Sequence, residues 1–153
     1  MDKLMWMDIG IVKAVICGVF LLVEGIRDLR RREISVISCA VVILSGILLQ
    51  LWKQDLSLFG ILSGVLMGGG MFLLSFLSRE SIGYGDGLVM LAIGILLGGQ
   101  DTAKLLCGAL FLCGIVSGVL FLCRKVKRKS RIPFVVFLFP TYGFLFFMEV
   151  CLK

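Results

Sequence analysis

Histidine is absent from the 153-residue chain. Without it there is no Ser-His-Asp or Cys-His catalysis, and the commonest metal ligand is missing. Charge is scarce: 17% of the residues are Asp, Glu, Lys or Arg, against about a quarter in soluble domains. No two cysteines form a CxxC pair. The six (Cys17, Cys39, Cys107, Cys113, Cys123 and Cys151) lie in or beside apolar runs, which is expected of small embedded hydrophobes rather than metal ligands or disulfide partners. Met1–Asp8 lacks a basic stretch and a small-residue cleavage site, so a removable signal peptide is not expected.

What is there in abundance is apolar surface, at 59% of residues. A soluble fold of this size has no interior large enough to hide it, whereas a bilayer replaces water as the solvent. Six apolar segments can be marked, at about Met7–Arg27, Ile34–Trp52, Leu56–Leu77, Gly87–Gly98, Thr102–Cys123 and Pro133–Leu152. They are apolar on all sides, as spanning helices are. The expectation is a single all-α integral membrane domain over residues 1–153, with about six transmembrane helices and no separate soluble domain.

The net charge is +6, but the basic residues sit in short clusters between the apolar runs. That is the pattern of membrane orientation and not of nucleic-acid binding. Arg27, Arg30, Arg31 and Arg32 follow the first segment, Arg79 follows the third, and a cluster from Arg124 to Arg131 follows the fifth. These odd-numbered loops hold 11 of the 16 Lys and Arg residues, which places them in the cytoplasm and both termini outside.

Gly60, Gly64 and Gly68 recur at four-residue spacing in the third segment, a small-xxx-small pattern that predicts close helix packing. Gly114 and Gly118 repeat it more weakly in the fifth. The fourth segment has only 12 residues, about 18 Å of helix, too short for a hydrocarbon core of about 30 Å. Just before it stands Gly83-Tyr84-Gly85-Asp86-Gly87, which predicts an irregular, closely packed turn with Asp86 at the mouth of a recess.

Ionisable groups at membrane depth mark functional sites. Asp2, Asp8, Asp55 and Asp101 fall near outer segment ends, where solvation or capping accounts for them. Glu149 lies near the outer end of the last segment, and Glu33 and Glu80 lie in cytoplasmic loops. Glu24, Asp28 and Asp86 remain. The inferred topology brings Asp28 and Asp86 to one membrane face. Two carboxyls that approach closely share a proton, so that one acts as base on a water while the other polarises a peptide carbonyl. On residues alone a second reading stays open, with Asp28 paired with neighbouring arginines and Asp86 capping a helix.

The segment Ile82-Gly83-Tyr84-Gly85-Asp86 resembles the GxGD signature of the type IV prepilin peptidases, which are membrane aspartyl proteases. In that family the first catalytic aspartate ends an early helix, five residues before an Ile/Leu-Pro pair. Asp28 precedes Ile34-Ser35 at the same spacing, and Ile132-Pro133-Phe134 is similar to the family's entry to the last span. Four positions depart from the pattern: Ser35 stands where the family usually has proline, Val135-Val136 replace a usual Gly-Pro, and Leu88 stands where many members have lysine.

The resemblance implies a GxGD-type aspartyl protease fold with Asp28 and Asp86 as the catalytic pair and Gly83, Tyr84 and Gly85 as motif backbone. It implies a multi-pass location in the bacterial inner membrane. The implied substrate is a prepilin or pseudopilin with a short basic leader and a hydrophobic stem, cut at the cytoplasmic face. The short first loop and unpaired cysteines match the peptidase-only form found in tight-adherence pilus systems, with no N-methyltransferase activity and no cofactor. Membrane lipids are the other expected partner, through the Arg clusters. Glu24, one turn before Asp28, is expected to pair with Arg27 or pack, or alternatively to tune Asp28 or attract the leader. Two other readings fit the same residues. One is a non-catalytic scaffold or small ion- or proton-coupled transporter, and the other is a related GxGD protease with another membrane substrate.

Overall fold

The computed structural model describes residues 2–31, 33–53, 57–77, 83–123 and 134–151. Among them the chain forms six α-helices and no strand: α1 Asp2–Arg31, α2 Val36–Lys53, α3 Leu58–Leu77, α4 Tyr84–Leu97, α5 Gly99–Leu122 and α6 Val135–Cys151. Each apolar segment marked in the sequence corresponds to one helix. Arg32, Asp55, Arg79, Glu80, Ile82, the basic cluster from Arg124 to Arg131, and Ile132-Pro133 lie outside the described residues.

Local signals set the helix ends. Ser57 caps α3 by accepting the Gly60 N–H on its hydroxyl at 3.1 Å. Gly98, the joint between α4 and α5, has φ 84, a left-handed conformation that glycine adopts without a Cβ penalty. Its N–H bonds back to the Gly94 carbonyl at 3.0 Å, and its own carbonyl accepts the buried Thr102 hydroxyl at 2.7 Å. One residue thus turns the chain from α4 into α5 while keeping the backbone groups paired.

Among the described residues, large apolar side chains are widely exposed, the reverse of a soluble protein. Trp52 is 83% exposed and Leu58 86%, and exposed aliphatic or aromatic chains line α1, α2, α3, α5 and α6. By length and composition α3 and α5 qualify as membrane-crossing helices, with mean hydropathy 1.9 and 2.1.

The short helix α4 is the centre of the bundle. Val89, Met90, Ala92, Ile93 and Leu96 are all buried, and α4 packs against α3, α2, α5 and α1. Its 14 residues make about 21 Å of helix. Enclosure by longer helices accounts for a segment that would be too short to span alone.

The closest contact runs between α3 and α4. A Cβ added at Gly64 would lie 2.1 Å from the Gly94 carbonyl oxygen, and one at Gly94 would lie 2.3 Å from that of Gly64. A Cβ at Gly68 would meet the Leu91 backbone at 2.3 Å, and one at Gly87 the Phe72 backbone at 2.6 Å. The two helices therefore touch backbone to backbone along their shared length, as small residues permit. The expected repeat in the fifth segment differs: Gly114 and Gly118 have open space beside them. Small residues permit close approach, but a partner backbone has to be there to use it.

Gly64→Leu should therefore prevent folding or cost more than the ~1–3 kcal/mol of ordinary overpacking, because backbone on both sides cannot yield. Gly10, with nothing within 4 Å, should accept leucine. Monodisperse yield and melting temperature in detergent measure the difference. Equal values for the two variants would remove the α3–α4 contact as the keystone of the bundle.

Candidate functional site

Asp28 and Asp86 are contributed by different helices. Asp28 lies in the last turn of α1 and is buried, with 7% of its surface exposed. Asp86 lies in the first turn of α4, ahead of the apolar run that begins at Gly87 and at the helix's polar end. The fold brings Asp86 within range of the charge of Asp28. Burial first, and then the charge of Asp28, pushes the Asp86 carboxyl up from the usual 3.8 to about 6. Both effects act against the ionised form.

The local structure of the GxGD segment differs from expectation. An irregular turn was expected from Gly83 to Gly87; instead α4 begins at Tyr84, so Gly85, Asp86 and Gly87 are already helical. Gly83 is the extended N-cap residue, with φ −64 and ψ 132, and its carbonyl accepts the Asp86 N–H at 3.0 Å. Asp86 thus stands in the first turn, where the helix dipole favours a carboxylate.

The glycines serve close approach rather than turning. A Cβ at Gly85 would sit 2.5 Å from Cδ1 of Ile34, and Gly87 rests on the Phe72 backbone. The two glycines flanking Asp86 thereby seat its turn between the α1–α2 corner on one side and α3 on the other. A Cβ at Gly83 would lie 3.5 Å from Oδ2 of Asp86, so that carboxyl folds back over the N-cap. Tyr84 opens the helix with 41% of its surface exposed.

Glu24 is fully buried on α1. Its Oε2 accepts the backbone N–H of Ser35 at 3.1 Å, and Oε1 stands 3.6 Å from Nη1 of Arg27. The expected pairing with Arg27 is present. With its carboxylate turned inward, Glu24 offers no surface to attract a basic leader. Ile34 and Ser35, which the sequence offered only as spacing landmarks, prove to be contacts of the site. The faint signal was Ser35 at the N-cap of a helix, with Ser38 three residues on. Asp101, assigned to solvation or capping, opens α5 and pairs with Lys104 at 2.8 Å on the surface.

The model of one protein family matches this chain: that of the type IV leader peptidase family, over residues 15–123. The matched stretch contains Glu24, Asp28, the GxGD segment and helices α2 to α5. No curated protein and no solved structure matches the chain.

The raised Asp86 carboxyl has a consequence for stability. A carboxyl that binds its proton more tightly in the folded state stabilises fully below the unfolded value, near 3.8, and that contribution is lost as pH rises through about 6. Asp86→Asn has no such titration. In detergent it should melt a few degrees above the wild type at pH 8, and the advantage should shrink as pH falls through 6 towards 4. A lower melting temperature at pH 8, or a difference that does not change with pH, would show that Asp86 is not held in this environment.

Proposed function

The chain belongs to the type IV leader peptidase family, and from that premise we propose that it is an aspartyl endopeptidase that cuts leaders from prepilin-like proteins at the cytoplasmic membrane face. The observation that carries the aspartyl mechanism is the placement of a buried Asp28 in the last turn of α1 and of Asp86 in the first turn of α4, whose Gly85 rests on Ile34 just beyond the end of α1.

The chemistry needs one proton shared by two carboxyls. The ionised carboxylate takes a proton from a water molecule as that water's oxygen attacks the scissile carbonyl carbon. The protonated partner gives its proton to the carbonyl oxygen, so the tetrahedral intermediate carries no full charge. When the C–N bond breaks, the amine leaves with a proton from the carboxyl that accepted one from water, and a hydroxyl of the intermediate returns its proton to the other carboxylate as the C=O bond re-forms, which restores the singly protonated pair. Atoms and charge balance with water as the only co-reactant. The burial that pushes the Asp86 carboxyl up favours the singly ionised pair near neutral pH.

The substrate class follows from the family: prepilin-type proteins, here read as a short basic leader ahead of a hydrophobic stem. A stem of that kind lies in the bilayer, which puts the scissile bond at the membrane boundary, beside the polar end of α4. The apolar runs of the six helices, beginning only at Gly87 in α4, are read as spans of the bacterial inner membrane in one peptidase domain, with both termini outside. The distribution of basic residues supports this orientation. The unpaired cysteines and a first loop too short to hold a domain support a peptidase-only form, without methyl transfer to the product. A scaffold or transporter would leave unexplained why two acids share one closed, glycine-seated corner.

Reporter fusions test the topology. A fusion after Lys129 should read as cytoplasmic, and fusions after Lys53 and Lys153 as outside. A cytoplasmic signal at Lys153 together with an outside signal at Lys129 would reverse the orientation and move the aspartates to the wrong face.

Cleavage of a prepilin by purified protein tests the mechanism. Asp28→Asn and Asp86→Asn should each abolish cleavage while the protein stays folded, because an amide cannot act as the base on water. The double variant should be no worse than either single one, since groups acting as a unit are not additive. Chelator should leave the wild-type rate unchanged. A single variant that keeps more than about a tenth of the rate, less than about 1.4 kcal/mol of lost transition-state stabilisation, does not lack a catalytic carboxyl.

A further inference from the structure

Helices α1 and α2 are neighbours in the chain but are splayed apart. An open apolar groove of about 460 Å³, lined by Val15, Val19, Val23, Ile37 and Val41, runs between them. At the corner that joins them, one fully buried carboxylate makes a bond across the gap: Glu24 accepts the Ser35 N–H at 3.1 Å.

Ser35 is the N-cap of α2. Its hydroxyl accepts the Ser38 N–H at 3.4 Å, and its carbonyl accepts the Cys39 N–H at 3.1 Å. In a capping box, a Glu or Gln three residues after the cap reaches back to the cap's own N–H. Here that position is Ser38, and Glu24 supplies the carboxylate from the neighbouring helix instead. The residue before the cap, Ile34, is the one on which Gly85 rests, and Gly85 is bonded to Asp86.

We propose that Glu24 is a positioning residue of the peptidase site: it completes the N-cap of α2 in trans and so holds Ile34 as the seat on which the Asp86 turn rests. The proposal rests on the reading of Asp28 and Asp86 as the catalytic pair. Asp28 is one turn beyond Glu24 on α1. The same helix therefore carries one aspartate directly and locates the other through Ser35, Ile34 and Gly85. Glu24 touches neither the substrate nor the reacting atoms. Its effect falls on the separation of two carboxyls, and misplacement by about 1 Å costs on the order of a hundredfold in rate.

The experiment compares kcat and KM for prepilin cleavage in Glu24→Ala, Glu24→Gln and Ser35→Pro, and in the Glu24→Ala/Ser35→Pro double variant, with Asp28→Asn and Asp86→Asn as controls. Glu24→Ala should lower kcat by about tenfold to a hundredfold with KM within about threefold. Glu24→Gln, which keeps an acceptor oxygen, should recover most of the rate. Proline has no N–H, so in the Ser35→Pro background Glu24→Ala should cost less than about threefold. Hydrogen exchange over residues 33–38 should quicken in Glu24→Ala and not in Asp28→Asn, which reads the corner independently of activity.

Near-wild-type kcat in Glu24→Ala with both Asn controls inactive would overturn the positioning role and leave the catalytic pair standing. An equal loss from Glu24→Ala with and without Ser35→Pro, or unchanged exchange at 33–38, would also overturn it. Active Asn controls would overturn the catalytic pair itself, and the role of Glu24 with it.

Discussion

The bundle depends on two helices approaching until their backbones touch. Gly64 and Gly94 each occupy the space where the other's side chain would be, and Gly68 and Gly87 continue the contact along the pair. Dispersion falls off steeply with distance, and a membrane offers no hydrophobic drive between apolar helices, so close approach is a principal source of association energy. The contact also fixes α4 axially against α3, because each glycine is matched to one segment of the facing backbone. From this follow the enclosure of α4, the depth of its first turn and the place of Asp86.

The site is built against stability. Burial and the charge of Asp28 both oppose the ionised form of Asp86. The surrounding structure sustains this because the glycines flanking Asp86 are gripped from two sides, by Ile34 and by the Phe72 backbone. The seat of Asp86 is thus supplied by packing that contains no chemistry of its own.

Much of the fold was legible in the sequence. All-round apolar runs are unambiguous when charges are scarce, and every marked segment became a helix. Elimination in the sequence left three acids without an evident outer or loop setting, Glu24, Asp28 and Asp86, and all three lie at the ends of α1 and α4 that face the α1–α2 corner. The glycine stripe of the third segment was legible as a packing face, yet the same spacing at Gly114 and Gly118 packs against nothing among the described residues. Spacing reports what a face permits; whether a partner arrives depends on where the other helices lie. The glycine-rich motif was read as a turn because glycine is common in turns. Its glycines are instead helical and serve close approach, a use that leaves the same mark on composition.

The sequence alone determined that the chain is helical, that it is built for an apolar surrounding, and that two aspartates with a GxGD segment carry its resemblance to a peptidase family. These are properties of composition, run length and local order, and each is encoded within a few residues. Only the tertiary structure decided that Asp28 acts electrostatically on Asp86, that Ile34 seats Gly85, and that Glu24 reaches out of one helix to satisfy the cap of the next. Those contacts join residues far apart in the chain, and they exist because backbone-close packing of α3 on α4, together with the α1–α2 corner, brings three helix ends to one place.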